Sequence, residues 1–131
     1  MINEEILKEI MRKRKEESRL YENYIKYYEK RDFVKAGEFL WGSINNLAYA
    51  LGLVYGKRLT GHREIIQFLR ELAEMNKIEE HKRYIRSAEA LHANFYHRWM
   101  DENTFEESVR EVEELRKWLI ELLDSLTSGV T

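Results

Sequence analysis

Cysteine and proline are both absent from this 131-residue chain, and glycine occurs only six times. The absence of cysteine excludes disulfides, zinc-thiolate sites and cysteine nucleophiles, and it suits a reducing interior. Without proline, and with long segments of 3.6-residue periodicity, the sequence predicts an all-helical domain. A chain of this length fits a single domain, residues 1–131, with its own hydrophobic core.

The motifs of several enzyme classes are also missing. The sequence has no Gly-x-Gly-x-x-Gly, no Walker-type Gly-Lys-Ser/Thr loop, no His-Glu-x-x-His and no Gly-x-Ser-x-Gly, so nucleotide-fuelled, zinc-protease and serine-hydrolase functions have no support. The longest apolar run, residues 47–56, is too short to span a bilayer, and no signal-peptide pattern is present. We therefore expect a cytoplasmic protein without a membrane partner. A formal net charge of −2 restricts any nucleic-acid contact to a local surface.

The periodicity predicts five helices in an up-and-down bundle. The first runs from about residue 3 to residue 30, and its middle, Arg12–Arg19, lacks apolar residues. We expect that part of the helix to project past the core or to pack on a partner. Asp32 is a suitable N-cap for a second helix to about Val54, in which Gly37 and Gly42 permit close helix approach.

Three further helices are predicted in the second half of the chain. The third occupies about residues 62–75, after a glycine-bounded loop. Asn76 with Glu79 resembles a capping box, which predicts a fourth helix to about residue 100. Asn103 with Glu106 repeats this pattern before a fifth helix. The near-heptad apolar seam of that helix, ending at residue 126, is expected to pack against the bundle or a second copy.

Chemically active side chains are concentrated on the fourth helix, in residues 86–99. At about 100° per residue, one stripe of this helix is apolar and is expected to face the core; it consists of Tyr84, Ala88, Leu91, Phe95 and Trp99. His92 lies at the edge of the stripe, followed round the same side by Tyr96, Glu89 and Arg86. Such a border is typical of an active site, but it is also typical of an ordinary amphipathic helix.

The spacing of Glu89 and His92 is that of ligands in di-iron four-helix bundles. Such a site needs a second Glu-x-x-His, and none of His62, His81 and His97 follows a glutamate at that spacing. We therefore expect no metal site and no cofactor. His62 opens the third helix, where the helix dipole disfavours a cation, and we interpret it as a neutral, hydrogen-bonding residue.

Arg86 and His92 form an Arg-x5-His pair. Six residues apart, the two side chains point about 120° from each other on a straight helix, so they cannot clamp one phosphate on their own. Either the helix bends or starts between them, or a symmetric partner brings the two groups together across a twofold axis. This geometry makes a homodimer part of the hypothesis.

Three segments of the sequence carry a family resemblance. The second-helix segment AGEFLWGSINNLAYALGL is similar to a helix of the HEPN superfamily of helical bundles, and residues 60–65 resemble the Thr-His-Asp-Leu element that opens the next helix in many HEPN proteins. Residues 88–96, AEALHANFY, are similar to the Ala-Glu-x-Leu-His-x-Asn-Phe-Tyr pattern of the archaeal PaREP branch of that superfamily. The resemblance covers about residues 32–126 and implies an HEPN-like core there, behind the long N-terminal helix of residues 1–30.

HEPN proteins commonly use Arg-x4-6-His as a metal-independent ribonuclease motif in a homodimer cleft, and several are toxins paired with a small nucleotidyltransferase antitoxin. The resemblance thus assigns proton transfer to His92 and the developing phosphorane charge to Arg86. From the helix face we add Glu89, to orient His92, and Tyr96, to stack or hydrogen-bond. Asn94 and His62 complete the predicted binding residues.

Two functions remain open at this point. The first is a metal-independent endoribonuclease that acts as a toxin or defence component through Arg86 and His92. The second is a non-catalytic HEPN module that binds a nucleotide, RNA or a partner protein through the same groove. Ser87 follows the arginine where active members often have Asn, Asp or His, and this difference favours the second function, whereas the Arg and His themselves favour the first.

Overall fold

The computed structural model describes residues 2–129 of the chain. Five helices make up this part: α1 (Glu4–Glu29), α2 (Phe33–Val54), α3 (His62–Met75), α4 (Glu80–His97) and α5 (Glu102–Thr127). The predicted all-α bundle of five helices is confirmed. Helix α2 is central, because it contacts each of the other four helices and is buried along most of its length. Within residues 2–129, no helix is both long and apolar enough to cross a membrane.

Local capping chemistry sets most of the helix ends. The side chains of Asn3, Asp32 and Asp101 accept backbone N–H bonds at the N-termini of α1, α2 and α5, satisfying donors that have no partner within the helix. Helices α2 and α3 begin and end at the predicted residues. The predicted start of α5 at Asn103 is wrong by two residues, because Asp101 caps that helix through the N–H of Thr104.

The predicted capping box at Asn76 is wrong. Asn76 is the C-cap of α3, where its side-chain amide donates to the carbonyl of Leu72 at 2.8 Å. The next residue, Lys77, has a left-handed backbone with φ of 57°, which ends the helix. Helix α4 then begins at Glu80 without a side-chain cap.

The C-terminal end of α4 also differs from the prediction. The helix stops at His97 because Arg98 adopts a left-handed conformation with φ of 49°. Trp99 therefore lies beyond the helix and is 56% exposed, so its placement in the core stripe is wrong. The buried residues of α4 form a neighbouring stripe: His81, Ile85, Ala88, Leu91 and Asn94. Tyr84 and Phe95 are half-buried.

The expectation that the middle of α1 projects past the core is wrong as well. Ile10, Glu17 and Tyr24 are the buried residues of this helix, and their seven-residue spacing places them on one face. Glu17 is fully buried. Its carboxylate accepts hydrogen bonds from the Ser43 hydroxyl at 2.6 Å, the Arg116 Nε at 2.6 Å and the Arg14 Nη1 at 2.8 Å. A charged network thus fills the core position that the apolar pattern leaves open.

The apolar seam of α5 is largely buried within the bundle. Five residues of this seam are buried: Phe105, Val109, Val112, Leu115 and Leu119. Leu122 is partly buried against the core, and Leu126 is 36% exposed. The seam therefore packs against the bundle of its own chain, which was one of the two predicted arrangements.

The predicted close helix approach at Gly37 and Gly42 is confirmed. A Cβ atom added at Gly37 would lie 3.2 Å from Cδ2 of Leu91 in α4, and one at Gly42 would lie 3.3 Å from Cδ1 of Leu20 in α1. Because Gly37 immediately precedes Glu38, this contact sets how close α4 lies to the Glu38 side chain.

The loop between α2 and α3 is tied to α1. The guanidinium of Arg58 donates to both carboxylate oxygens of Glu9, at 2.8 and 3.0 Å, and the Tyr49 hydroxyl donates to the same carboxylate. These hydrogen bonds, of which the one from Arg58 has the largest effect, hold the pKa of Glu9 below its usual value. Farther along the loop, Thr60 donates its N–H and hydroxyl to Glu64. The chain is thereby anchored just before it enters α3.

Candidate active site

Three aromatic rings from three helices lie close together. Trp41 of α2 lies 5.2 Å from His62 of α3 and 5.1 Å from His92 of α4, and the two imidazole centroids are 5.5 Å apart. Trp41 is 6% exposed, so it forms the buried wall of the group. We refer to Trp41, His62, His92 and the two carboxylates that pair with the imidazoles, Glu38 and Glu89, as the imidazole cluster.

His92 is held by Glu38 of α2. The distance between its Nδ1 and the Glu38 Oε1 is 2.8 Å, and the two side chains are 29% and 25% exposed. A carboxylate only accepts hydrogen bonds, so the Nδ1–H donates and the Nε2 atom of His92 is left for another partner. Glu38 thus fixes both the orientation and the tautomer of the ring, as carboxylate partners of histidines commonly do.

His62 forms a second pair of the same kind with Glu89. Its Nε2 lies 3.0 Å from the Glu89 Oε2, and the other oxygen of that carboxylate lies 3.9 Å from the Arg70 guanidinium. The side chain of His62 is 45% exposed. The predicted role of Glu89 in orienting His92 is therefore wrong, because Glu89 holds His62 and the orienting carboxylate of His92 is Glu38.

Tyr96 and Asn94 occupy different environments. The ring of Tyr96 lies edge-on to His92 at 5.5 Å between centroids and is 66% exposed, so it borders the site without stacking on the imidazole. Asn94 is 4% exposed, and its side-chain oxygen accepts the backbone N–H of Met100 at 2.8 Å. That contact gives Asn94 a structural role at the end of α4 instead of a position in an open groove.

Arg86 is exposed on α4. Within residues 2–129 it takes part in no ion pair, and α4 runs without interruption from Glu80 to His97. The helix therefore does not start between Arg86 and His92. Ser87 donates its hydroxyl to Glu111 of α5 at 2.6 Å, so the side chain that differs from the pattern of active HEPN members contacts α5.

Sequence reasoning missed Glu38 and Trp41. The two residues are three positions apart on α2 and therefore share a face, which is the only signal that the sequence offers. Trp41 sits in a strongly apolar helix and is indistinguishable there from an ordinary core residue. The pairing of Glu38 with His92 spans 54 residues and is created by the packing of α4 on α2.

A groove opens beside the imidazole cluster, and a larger depression lies apart from it. No group of three or more His, Cys, Asp or Glu side chains is placed to hold a metal ion within residues 2–129. A shallow groove of about 210 Å³ opens beside Glu38, lined by Tyr27, Lys35, Phe39 and Phe95. A depression of about 790 Å³ lies elsewhere, along α1 and Tyr49, and its lining carries charges of both signs. The imidazole cluster is the part of the described chain where two histidines, each paired with a carboxylate, converge.

Comparison with known proteins identifies the family. The model of the archaeal PaREP1/PaREP8 family matches residues 4–116, a range that includes α1 to α4 and every residue of the imidazole cluster. No curated protein and no solved structure gives a significant match to the chain. The predicted resemblance to the PaREP family is thereby confirmed, and the chain belongs to the archaeal PaREP1/PaREP8 family.

Proposed function

We propose that this protein is a metal-independent endoribonuclease of the HEPN type, acting as a toxin or defence component whose cognate inhibitor is a small nucleotidyltransferase. The kinship with HEPN proteins rests on the three resembling segments and on the all-α bundle. The observation that carries the activity is the His92–Glu38 pair, in which a partly exposed imidazole is held at 2.8 Å by a carboxylate.

The pair supplies what ribonucleolytic proton transfer requires. An imidazole changes protonation near neutral pH, so it serves as general base or general acid without a metal. With Nδ1–H donated to Glu38, the Nε2 atom of His92 takes the proton of the ribose 2′-hydroxyl or delivers one to the leaving oxygen. Glu38 also stabilises the imidazolium that forms when His92 accepts a proton, as the carboxylate does in a His–Asp pair.

Arg86 is proposed to neutralise the charge that develops on the phosphorane. A guanidinium binds phosphate oxygens in a bidentate manner, and groups placed where charge develops in a transition state contribute strongly to catalysis. Arg86 is exposed and unpaired among the described residues, which leaves it available for a phosphate. Because α4 is continuous, the angle of about 120° between Arg86 and His92 remains, and we infer that Arg86 acts on the site of a second protomer.

The C-terminal end of α4 offers a surface for that second protomer. Tyr96 and Trp99 are 66% and 56% exposed, and Tyr96 contacts His92 directly. Exposed aromatic side chains of this kind are enriched at protein interfaces. A twofold arrangement through this end of the helix places two copies of His92 near one cleft.

The first experiment measures cleavage of a mixed RNA panel in the presence of EDTA. We expect the wild type to leave 2′,3′-cyclic phosphate ends, and His92→Ala to lower the rate by about 10²–10⁴-fold, the range of general acid–base catalysis. Glu38→Gln is expected to give a smaller loss. His97→Ala is the matched control, because His97 is an exposed histidine of the same helix. Equal rates for wild type and His92→Ala at matched folding would refute the proposal.

The twofold arrangement has its own test. Arg86→Ala and His92→Ala are each expected to be inactive alone. Mixed and allowed to exchange subunits, they form heterodimers with one intact site if Arg86 acts across the dimer, which restores at most about a quarter of the wild-type rate. No recovery, with heterodimers demonstrated by size and mass, would mean that each protomer uses its own arginine.

A non-catalytic HEPN module is the second candidate, and the groove beside Glu38 favours it. Tyr27 and Phe39 are stacked at 5.4 Å in its wall, and aromatic walls of this kind bind nucleobases. In that function the groove binds a nucleotide, RNA or a partner protein, and the histidines orient the ligand. Tight RNA binding without cleavage by a folded protein, weakened by Phe39→Ala, would select this function over the first.

A further inference from the structure

The second histidine pair of the imidazole cluster has no role in the reaction as described so far. His62 and His92 lie side by side, with ring centroids 5.5 Å apart and ring planes 24° apart. Each donates one N–H to its own carboxylate, His62 from Nε2 and His92 from Nδ1. The remaining nitrogens, Nδ1 of His62 and Nε2 of His92, make no hydrogen bond within residues 2–129.

Cleavage of RNA through its own 2′-hydroxyl needs two proton transfers at opposite ends of one phosphorus centre. One group removes the proton of the attacking hydroxyl, and a second group protonates the departing 5′-oxygen. A single imidazole within a protomer performs only one of these transfers in a concerted step. Two imidazoles with one free nitrogen each meet the requirement for both.

We propose that His62 is the second catalytic imidazole, so that one protomer supplies both the general base and the general acid for cleavage of a ribonucleotide phosphodiester. This inference rests on the proposed ribonuclease function. It removes the need for a second His92 from a partner and leaves Arg86 as the group that a second protomer contributes.

The step balances without any further reactant. The 2′-oxygen forms a bond to phosphorus while the bond from phosphorus to the 5′-oxygen breaks. The neutral imidazole takes the 2′-hydroxyl proton, and the protonated imidazole gives its proton to the 5′-oxygen. The products are a 2′,3′-cyclic phosphate and a 5′-hydroxyl. After the step the two imidazoles have exchanged protonation states, and proton transfer to and from water restores the original states.

The charged groups around the two rings support this assignment. Glu38 of α2 faces His92, and Glu89 of α4 faces His62, with Arg70 of α3 beyond it at 3.9 Å. Glu89 supplies the negative charge that an imidazolium at a helix N-terminus otherwise lacks. The buried Trp41 ring packs against both imidazoles, while the exposed Tyr96 ring lies edge-on to His92.

A purely structural role for His62 predicts a different outcome from a catalytic one. Its side chain is 45% exposed and its hydrogen bond to Glu89 is on the surface, so its removal is expected to change stability little. His62→Ala should therefore fold with a thermal midpoint close to the wild type, which keeps a loss of activity interpretable.

The experiment compares wild type, His62→Ala, His92→Ala and the control His97→Ala on an RNA dinucleotide and on its analogue with sulfur at the bridging 5′ position. A thiolate leaves without being protonated, so the analogue no longer needs a general acid. We expect His62→Ala and His92→Ala each to lose about 10²–10⁴-fold on the RNA dinucleotide. On the sulfur analogue, the variant that lacks the general acid should recover to near the wild-type rate, and the other should not.

The pH dependence gives a second readout. The wild type is expected to show a bell-shaped profile of kcat/KM, and each histidine variant should lose one limb of it. If the wild type cleaves RNA and His62→Ala cleaves it at the same rate with an unchanged profile, the assignment of His62 is overturned while the ribonuclease function stands. If the folded wild type cleaves neither substrate, the ribonuclease function and this inference fall together.

Discussion

Replacing the buried carboxylate of α1 is the most direct test of how this bundle holds together. Glu17 is fully buried, and its three hydrogen bonds come from Ser43, Arg14 and Arg116. In Glu17→Ala both guanidinium groups lose their counterion. The Arg14 side chain is 31% exposed and can turn to water, whereas the Arg116 side chain is only 18% exposed and keeps most of its desolvation cost.

These contacts set the size of the effect. Removing one partner of a buried ion pair costs about 3–5 kcal/mol, and each hydrogen bond to a charged group contributes about 1.5–3 kcal/mol. Because Arg14 regains hydration, we expect Glu17→Ala to lower the free energy of unfolding by about 3–4 kcal/mol. For a domain of this length, that corresponds to a fall in Tm of roughly 10–15 °C.

Urea unfolding followed by circular dichroism measures this change, with an unchanged m value expected because the fold is retained. Glu16→Ala is the matched control, since Glu16 pairs with Arg19 on the surface and should cost about 0.5 kcal/mol or less. The double variant Glu17→Leu with Arg116→Leu should recover most of the loss, because apolar replacement of a buried pair is often neutral or stabilising. A loss below about 1 kcal/mol in Glu17→Ala would show that the middle of α1 does not pack on the core.

Two further predictions concern the packing around α4. Gly37→Ala introduces a Cβ 3.2 Å from Leu91, and the helix propensity gained, about 1 kcal/mol, offsets this crowding. Tm should therefore change little, whereas the RNA cleavage rate should fall because α4 moves away from α2. Gly42→Ala, at the contact with α1, should leave the cleavage rate unchanged. Burial lowers the pKa of His81 from 6.5. Neutral His81 therefore contributes stability that is fully present above pH 6.5 and is lost as the pH falls through the lowered pKa. Tm should accordingly drop less on acidification in His81→Leu than in the wild type, and parallel curves of Tm against pH for the two proteins would contradict this reasoning.

The helix boundaries that local chemistry controls were predictable from the sequence. Asp32 before an apolar-periodic segment identified the start of α2, and the loop with two glycines fixed the start of α3. Asn76 shows the limit of such signals. An asparagine accepts hydrogen bonds at the start of a helix and donates them at the end of one, and only the packed structure reveals that it donates to Leu72 here.

Hydrophobic periodicity failed where polar residues occupy core positions. Glu17 lies at the position in α1 where the pattern predicts an apolar residue. Its buried carboxylate depends on a hydrogen bond from Arg116, which is 99 residues away in the sequence. No local rule distinguishes this glutamate from its solvent-exposed neighbours. For the same reason, the run Arg12–Arg19 was expected to project past the core or to pack on a partner.

The candidate site was half predictable. His92, Glu89 and Tyr96 stand out because their chemistry and helical spacing are visible on one helix. Glu38 and the contact between His62 and His92 are not visible, because they arise when α2, α3 and α4 pack together. Sequence periodicity gives the face of a helix, but it does not say which residue of a neighbouring helix lies opposite.

The contact between Glu9 and Arg58 bears on how much of the chain constitutes a working unit. Helix α1 contributes no side chain to the imidazole cluster, yet its Glu9 holds the loop four residues before His62. A fragment that begins at residue 32 loses this tether and also removes the counterion of Arg116. Trimming the chain to residues 32–126 therefore does not isolate the site, because the position of α3 depends on a helix that never touches the two imidazoles.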